Sequence, residues 1–453
     1  MKSKIITNKN YQFGFHSNVH PTTIFKRGLS ETIVRQISQI KHEPEWMLNI
    51  RLKAYRAFKK LKNPTWGPNL EQINFNEYIY YSVTQDVSAT NKEFKKLNVV
   101  KGDGTILSGS NAQYDSEVVY HDLIKELQEK KVIFTTIEEA MVKYPKLVRT
   151  YFGTLVSCLD NKYAALNTAV WSGGSFIYVP KNVKLKRPLQ AYFRINTKSV
   201  GQFERTLIIA DEKAQVHYVE GCTAPIYAAN NLHAAVVEVF VHKNALVRYS
   251  TIQNWSDNVL NLVTKRCRCD ANATMEWIDG NLGSKLNMKY PATILAGNNA
   301  KARCISIAVA HQNVIQDTGA KMIHIGKNTR SQIISKSIAH SGGNATYRGL
   351  IEIKRGAHNS YSEVTCDSLI LDKTSKSDTI PTEIIRDSSS YLKHEAKITD
   401  IDKEKLFYLN TKGINLAQAK HLLVLGFIGP FVDELPMEYA VELNRLLKAD
   451  LNS

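Results

Sequence analysis

Six cysteines are the side chains of this 453-residue sequence best suited to reaction chemistry, because a thiolate can accept sulfur or bind iron. Cys222 directly follows a predicted strand, and Gly221 and Pro225 beside it predict a turn that could expose its thiol. Cys366 lies in another predicted strand and precedes Asp367. A lone strand cysteine is more often a small buried side chain. Position alone therefore leaves a structural role open for both.

The other cysteines carry weaker signals. Cys267 and Cys269 are two residues apart on one predicted strand, so their side chains face the same way. A Cys-x-Cys pair without a second pair is weak evidence for a metal site. Cys158 and Cys304 are predicted to be core residues. Because the six are few for this length and mostly far apart, a disulfide-stapled secreted domain is not expected.

An imidazole and a carboxylate stand together at His394 and Glu395, 28 and 29 residues after Cys366. If the strands stack in coils, a whole number of coils returns the chain to the same face. Thiolate, imidazole and carboxylate would then form a mixed ligand set that suits iron. Without an architecture, a charged surface patch is equally consistent with these residues.

The motifs that the sequence lacks narrow the function further. It contains no G-x-x-x-x-G-K-[ST], so a P-loop ATPase is not predicted. The segment Trp171 to Ser175 (WSGGS) looks like the signature loop of ABC ATPases, but without a phosphate loop it favours a turn before a strand. No G-x-S-x-G or H-E-x-x-H occurs either. If a nucleotide is hydrolysed, we expect a partner to do it.

The charge balance is basic, with 59 basic and 42 acidic side chains and a net charge of +17. The surplus is spread along the chain and is mostly lysine, so an arm that binds nucleic acid is not favoured. Lysine, asparagine and isoleucine have AT-rich codons, as in a plastid genome.

No apolar run is long enough to predict a membrane span. The N-terminal residues show neither a signal peptide nor a transit peptide, so we expect plastid-encoded synthesis and work in the stroma, or otherwise a bacterial cytoplasm.

Three zones of different periodicity must position these residues. Residues 1–164 are predicted to be mainly helical, 165–400 to consist of short strands, and 401–453 to be helical again. In the first zone, helices are predicted over Ser30–Lys41, from Pro44 through Phe58, over Glu117–Lys130 and over Thr136–Tyr144. An extended segment is predicted over Ile73–Val83. C-terminal helices are predicted from Asn415 to Leu447, with a break at Gly429 and Pro430.

A unit recurs in the middle zone: a turn residue, a small residue and an alternating strand. It occurs as KAQVHY at Lys213, NALVRY at Asn244, NATMEW at Asn272, NAKARC at Asn299, NTRSQI at Asn328 and NATYRG at Asn344. Asparagine at equivalent turns favours coils stacked as a parallel β-helix, which should wind right-handed. Periodicity alone leaves a β-sandwich about as well supported.

Blocks along the chain resemble the SufB/SufD family of the SUF iron–sulfur cluster assembly system, and within it the SufB scaffold type. They run in order from about Gly28 to the C-terminus and include EPEWMLNIRLKAYR, NEYIYYS, AVWSGGSFIYVPK, FERTLIIA, YVEGCTAP, STIQNW, CDSLIL and LPMEYAVE. The resemblance implies a mainly β fold, with a right-handed parallel β-helix core between N- and C-terminal helical domains. The loop after Trp255 is shorter than the glycine-rich insertion common in bacterial members.

The resemblance also implies a function and partners. SufB-type proteins are assembly scaffolds, not enzymes, in which a transient cluster is built at the interface with a SufD-type homologue. A SufC-type ABC ATPase docks on the C-terminal helical region, and persulfide sulfur arrives from a cysteine desulfurase by way of a SufE-type carrier. A reduced flavin is an electron source that the family allows. Neither nucleic acid nor membrane is an expected partner.

Family residues match positions of this sequence. Cys222 matches the sulfur acceptor, and Cys366 matches the cluster-site cysteine. Glu395, with His394 beside it, matches the family's metal-binding carboxylate. The positions that match an internal sulfur route are Arg194, Asn196, Gln253, Trp255 and Lys265. Lys265 and Arg194 are expected to lower the pKa of the Cys222 thiol if they point inward. The competing function is a β-helix enzyme that cleaves acidic polysaccharides, although such enzymes are usually secreted.

Overall fold

A parallel β-helix forms the core of the protein, with helices in its N- and C-terminal parts. The computed structural model describes residues 23–83, 109–114, 117–123, 125–194, 200–223, 231–435 and 437–451. The described helices are α1 Glu31–Ile40, α2 Glu45–Lys60, α3 Lys125–Glu129, α4 Ile137–Lys143, α5 Pro145–Tyr151, α6 Lys162–Val170, α7 Lys403–Thr411, α8 Leu416–Val432 and α9 Met437–Leu451. No helix among these residues is long and apolar enough to cross a membrane.

The described strands form two long sheets and a small pair. They are β1 Thr23–Ile24, β2 Ser82–Val83, β3 Gly109–Tyr114, β4 Glu117–Leu123, β5 Ile133–Thr135, β6 Phe176–Val179, β7 Leu189–Arg194, β8 Arg205–Ala210, β9 Gln215–Thr223, β10 Asn231–His233, β11 Val236–Val241, β12 Leu246–Trp255, β13 Val259–Cys269, β14 Thr274–Gly283, β15 Leu286–Lys289, β16 Ala292–Leu295, β17 Lys301–Ala310, β18 Ile315–Thr318, β19 Lys321–His324, β20 Arg330–Ala339, β21 Asn344–Ile353, β22 Tyr361–Ile370, β23 Lys376–Ile385 and β24 Tyr391–Asp400.

The two long sheets face each other across one interior. The first sheet has the strand order β24-β22-β20-β17-β14-β12-β9-β7-β3-β4, and the second has the order β15-β18-β21-β19-β16-β13-β11-β8-β6-β5, with β10 on β13 and β23 on β21. From β6 to β24 the strand pairs are parallel. Parallel pairing in register through successive coils is the pattern of a β-helix and decides against the sandwich. The fold prediction is therefore confirmed, while the hand of the winding stays a prediction.

The recurring turn has a conformational reason. The turn residues Lys213, Asn244, Asn272, Asn299, Asn328 and Asn359 all have φ between 54° and 61°. Asparagine tolerates this left-handed region better than most residues. The next residue, from Ala214 in the first unit to Ser360 in the last, is small and buried. The unit predicted at Asn344 is wrong, because Asn344 begins β21 of the second sheet and Asn359 is the equivalent turn residue before β22 of the first.

The first zone is less helical than its sequence predicts. The helices at Ser30 and Thr136 are confirmed, with the hydroxyl of each residue accepting a backbone N–H of the first turn. The helix over Glu117–Lys130 is wrong for its first half, since β4 pairs with β3 and only α3 is helical. The valines and tyrosine of β4 suit a strand, and an available partner edge outweighs helical periodicity. Of the extended segment, only β2 and a bridge between Ile79 and Val200 are strand-like.

The C-terminal helices pack on the outer face of the first sheet. Val424, Ile428 and Phe431 of α8 are buried with Ile252 and Ile307 of the sheet. Helix α8 continues without interruption through Gly429 and Pro430 to Val432, so the predicted break at the Gly-Pro pair is wrong. A proline removes one helical hydrogen bond, which burial of one helix face can offset.

The limits of the three predicted zones stay a prediction. Strands β3, β4 and β5 come from the zone predicted to be helical, yet they extend the two long sheets. Helix α6 crosses the predicted limit at residue 164. At the other end, β23 and β24 form the last coil, most of whose residues are exposed or half-buried.

Candidate functional site

Cys222 lies inside the β-helix. It is part of β9, and its side chain is fully buried among the interior residues of the first sheet. Its Sγ donates to Oε1 of Glu220 at 3.6 Å. The expectation that the flanking Gly and Pro expose this thiol is wrong, because the strand continues through Cys222 and turns the side chain inward.

Three buried charged side chains form a cluster near Cys222. The Nζ atoms of Lys265 and Lys289 lie 3.1 and 3.2 Å from the same oxygen, Oδ1 of Asp279. Each of these side chains is 1% exposed. Lys289 also donates to Oε1 of Gln253 at 3.1 Å, and Gln253 is paired in register with Cys222. We call Lys265, Asp279 and Lys289 the lysine–aspartate cluster.

The Cys222 thiol is not acidic in this setting. Burial raises its pKa well above the usual range, and the carboxylates of Glu220 and Glu204 raise it further. Lys265 and Lys289 act in the opposite direction without overcoming burial. The predicted effect of Lys265 is therefore confirmed, but burial outweighs it and the pKa of Cys222 stays raised. At neutral pH the resting group is therefore a thiol, and a thiolate needs further stabilisation to form.

A second buried network lies against the same interior. His233 bonds Glu204 through Nε2 and Asn261 through Nδ1. Burial disfavours the charged imidazole, but Glu204 outweighs burial, so the pKa of His233 is raised. The ring of Trp255 lies 4.7 Å from that of His233. Within the described residues, Trp255 Nε1 and Gln253 Nε2 have no hydrogen-bond partner, which leaves two buried donors free.

One continuous line of interior side chains connects the neighbourhood of Cys222 with Cys366. The strand registers place one buried residue per strand in this line, which we call the interior row: Glu220, Thr251, Asp279, Ser306, Ser335 and Cys366. Parallel strands lie about 4.8 Å apart, so the five steps from β9 to β22 span about 24 Å. That distance excludes direct thiol exchange between Cys222 and Cys366.

The Cys366 end of the row lies next to the exposed last coil. Burial raises the pKa of Cys366 to about 12, the charges of Asp367 and Glu383 add to this, and a hydrogen bond with Tyr347 opposes it. His394 is on the neighbouring strand and faces inward, with Nδ1 bonded to Glu383. Its Nε2 has no partner among the described residues.

Glu395 does not join this group. It pairs in register with Thr365, so it points to the opposite side of β24 from His394. One coil from β22 to β24 takes 30 residues, so Cys366 pairs in register with Ala396. His394, two residues before Ala396, therefore faces the interior as Cys366 does, whereas Glu395 does not. The carboxylate that the structure brings to Cys366 and His394 is that of Glu383. Within the described residues, no three His, Cys, Asp or Glu side chains could together hold a metal ion.

Comparisons with known proteins agree with this arrangement. A family model described as "SUF system FeS cluster assembly, SufBD core domain" matches residues 193–427, and one described as "SufBD protein N-terminal region" matches residues 34–191. The chain belongs to the SufB/SufD family. An iron–sulfur cluster assembly SufBD family protein of Staphylococcus aureus strain USA300 is 52% identical over 457 residues, covering 98% of this chain and 97% of that protein. A SufBD family protein of Staphylococcus saprophyticus has the same identity and coverage.

Membership of the SufB/SufD family makes this protein a component of iron–sulfur cluster assembly and implies partners from the SUF system. It gives no support to the polysaccharide-cleaving alternative. The residues matched to a sulfur route fall in two groups. Gln253, Trp255 and Lys265 are all buried and face the interior. The side chain of Arg194 and the whole of Asn196 lie outside the described residues.

Several interior polar residues of this SufB/SufD-family protein escaped the sequence analysis. They are Glu204, Glu220, His233, Asp279, Lys289, Tyr347 and Glu383. A signal was present, because the alternation of β14 places Asp279 on the same face as Met275 and Trp277. A charged residue on the apolar face of a strand is rare unless it is paired. Cys304 is fully buried, as predicted for a core residue, whereas Cys158 is only half-buried. Cys267 and Cys269 face the same way, as predicted, with their Sγ atoms 3.7 Å apart.

A cleft of about 580 Å³ lies outside the β-helix, between residues 66–78 and the second sheet. Its charged lining consists of three carboxylates and two cations: Glu77, Asp317, Asp378, Lys285 and Arg348. Arg348 is also paired with Asp317. The net charge is therefore negative, which suits neither an acidic polysaccharide nor the phosphates of a flavin nucleotide.

Proposed function

We propose that this SufB/SufD-family protein is a SufB-type assembly scaffold and not itself an enzyme. Cys222 accepts persulfide sulfur, and a transient iron–sulfur cluster is built at Cys366, at the interface with a SufD-type partner. A SufC-type ATPase docks on the C-terminal helices and hydrolyses ATP. A SufE-type carrier, charged by a cysteine desulfurase, delivers the sulfur. The staphylococcal relatives favour a bacterial cytoplasm, and the plastid stroma predicted from the lysine surplus gains no support from them.

The observation that carries this proposal is the interior row. Two buried cysteines inside one β-helix are joined by an unbroken line of carboxylate and hydroxyl side chains. Polar interiors are costly unless they are satisfied or used, so a structural role alone gives little reason for this line. Release of the outer sulfur of the Cys222 persulfide as sulfide takes two electrons, for which the family resemblance allows a reduced flavin. The row then supplies donors and acceptors to the sulfide as it moves from Cys222 to Cys366. The loading step itself needs no flavin.

The loading step is an exchange of thiols. The thiolate of Cys222 attacks the outer sulfur of the protonated carrier persulfide, the sulfur–sulfur bond breaks, and the carrier sulfur takes up the persulfide proton and leaves as a thiol. Cys222 then holds the transferred sulfur as a perthiolate, and no oxidant or reductant is consumed. Glu220 accepts the bond from the Cys222 thiol and is the nearest group to take its proton. Burial raises the pKa of Glu220, which makes it a better base than an exposed carboxylate.

The cluster end has an oriented imidazole. A carboxylate that holds one ring nitrogen of a histidine is a common way to aim the other nitrogen at a metal ion. Glu383 holds Nδ1 of His394 in this way, and Nε2 has no hydrogen-bond partner in the part of the chain that the structure describes. We propose that Cys366 and His394 bind iron and that the SufD-type partner completes the ligand set across the exposed last coil. Glu395, which the family resemblance assigns to the metal, reaches this site only from the outer face of β24.

Co-purification with SufC- and SufD-type partners, followed by anaerobic reconstitution, tests this function. The wild-type complex should develop iron–sulfur absorbance, whereas the Cys366→Ser complex should assemble without developing it. Cys304→Ala is the matched control, because Cys304 is an interior cysteine outside the interior row. Normal absorbance in the Cys366→Ser complex would remove Cys366 from the site.

A further inference from the structure

Lys289 is a buried cation that shares its counter-ion. Its Nζ lies 3.2 Å from Oδ1 of Asp279, and Lys265 occupies the same oxygen at 3.1 Å. The other oxygen, Oδ2, has no hydrogen-bond partner among the described residues. Two ammonium groups therefore share one carboxylate within the lysine–aspartate cluster, which carries one positive charge that no member balances. Outside the cluster, the carboxyl group of Glu220 interacts with Lys265. Burying an unbalanced charge is unfavourable, so its retention calls for a reason.

The excess charge faces the sulfur-accepting residue. Lys289 donates to Gln253 at 3.1 Å and lies 3.5 Å from Thr251, the two residues of β12 that pair with Cys222 and Glu220 of β9. The two groups also influence each other, since Lys289 lowers the pKa of Cys222 and an ionised Cys222 raises that of Lys289. Lys265 also lies 3.4 Å from Thr251 and lowers the pKa of Cys222 more than Lys289 does, while its ammonium group contacts the ring of Tyr249, 4.5 Å away.

We infer that Lys289 is a positioning residue that supplies the counter-charge for the sulfur anion formed on Cys222. The inference deepens the proposed function and rests on it. When the carrier persulfide is attacked, negative charge passes from the Cys222 thiolate through the transition state to the Cys222 perthiolate. The excess ammonium group of the cluster balances that charge inside the β-helix. The free Nε2 of Gln253 adds a hydrogen-bond donor on the same side.

The protonation of Lys289 predicts a pH dependence. Burial lowers its pKa to about 8, with Lys265 acting in the same direction and Asp279 opposing. The titratable groups that face it are Asp279 on β14, Lys265 on β13, Cys222 on β9 and Cys304 on β17. Below pH 8 Lys289 is an ammonium group and balances the anion. Above pH 8 it becomes a neutral amine, and its contribution to loading disappears.

The experiment measures sulfur loading on Cys222 of the full chain from a persulfidated SufE-type carrier. The rate is followed between pH 6.5 and 9.5 by mass spectrometry of the alkylated Cys222 peptide, for the wild type, Lys289→Met and Lys289→Arg. Lys285→Met is the matched control, because Lys285 is an exposed lysine of the same segment. Lys289→Met leaves Asp279 paired with Lys265, so the variant should fold, and circular dichroism checks this.

We expect Lys289→Met to load about tenfold more slowly than the wild type at pH 7, the equivalent of a one-unit rise in the pKa of the thiol. The deficit should shrink above pH 8, where the wild type loses its ammonium group. Lys289→Arg should keep loading to higher pH than the wild type, since arginine stays charged. Lys285→Met should match the wild type.

Two other results have different meanings. If the wild type loads at Cys222 but Lys289→Met does so at the same rate and with the same pH profile, the role of Lys289 is overturned and the proposed function stands. If Cys222→Ser accepts as much sulfur as the wild type, the proposed acceptor itself is wrong.

Discussion

Cys222 and Cys366 point into the same β-helix from strands of one sheet that are five steps apart. Neither thiol is exposed, and burial raises the pKa of both. If the two thiols carry sulfur and cluster as proposed, their burial protects reactive sulfur from solvent. It also requires a polar path between them, which the interior row provides.

Ser335→Ala should separate sulfur loading from cluster formation. Ser335 is the member of the interior row next to Cys366, and its substitution removes one hydroxyl without creating a large cavity. We expect persulfide on Cys222 to form at the wild-type rate and cluster formation from the carrier to slow several-fold. Ser337→Ala is the matched control. Ser337 is buried on the same strand but lies outside the interior row, in register with Cys222, and its hydroxyl is hydrogen-bonded to that of Ser368. Equal slowing in both variants would argue against a specific path.

Asp279→Asn should destabilise the protein strongly. It leaves Lys265 and Lys289 buried together without a carboxylate, and breaking a buried ion pair costs about 3–5 kcal/mol. The free energy of unfolding, measured in urea at pH 7, gives the loss. Lys289→Met should cost much less, because one lysine and one carboxylate remain. A larger loss in Lys289→Met than in Asp279→Asn would contradict the charge assignment of the cluster.

The contribution of Asp279 should also depend on pH. The two lysines hold its pKa at about 2 against burial, compared with about 3.9 in an unfolded chain. A depressed carboxyl pKa stabilises the fold above the unfolded value, and this contribution of about 2–3 kcal/mol is lost as the pH falls from 4 to 2. The difference in unfolding free energy between the wild type and Asp279→Asn should therefore narrow over that range. A constant difference would mean that the pKa of Asp279 is the same in the folded and the unfolded chain.

Glu383→Gln and Glu395→Gln should have different effects on iron. Glu383 bonds His394 on the interior side, whereas Glu395 lies on the other face of β24. We expect Glu383→Gln to lower iron retention in the reconstituted complex by about 10-fold, the lower end of the usual effect of losing a carboxylate that orients a metal-binding histidine. Glu395→Gln should lower it less. The reverse order would show that β24 rearranges when the SufD-type partner binds.

Local patterns predicted the turns of the core, because asparagine at Asn244 or Asn272 marks a left-handed turn. They left a sandwich about as well supported as a β-helix, and the resemblance to the SufB/SufD family favoured the β-helix. The same resemblance, not periodicity, singled out Gln253, Trp255 and Lys265, which are buried. The sequence did not predict β4 or the continuous α8, where pairing with β3 and packing against the first sheet override local signals. The lysine–aspartate cluster was missed for a related reason. Lys289 and Asp279 are on different sheets, and only the closed coil brings their charges together.

Cluster formation from two sulfur sources tests the central claim most directly. The complex is reconstituted anaerobically with ferrous iron and either the persulfidated carrier or inorganic sulfide, and cluster absorbance is recorded. If Cys222 accepts sulfur and Cys366 holds the cluster, Cys222→Ser should fail with the carrier but recover with sulfide, and Cys366→Ser should fail with both. A Cys366→Ser complex that forms a normal cluster from either source, or a Cys222→Ser complex that forms one from the carrier, would contradict the account.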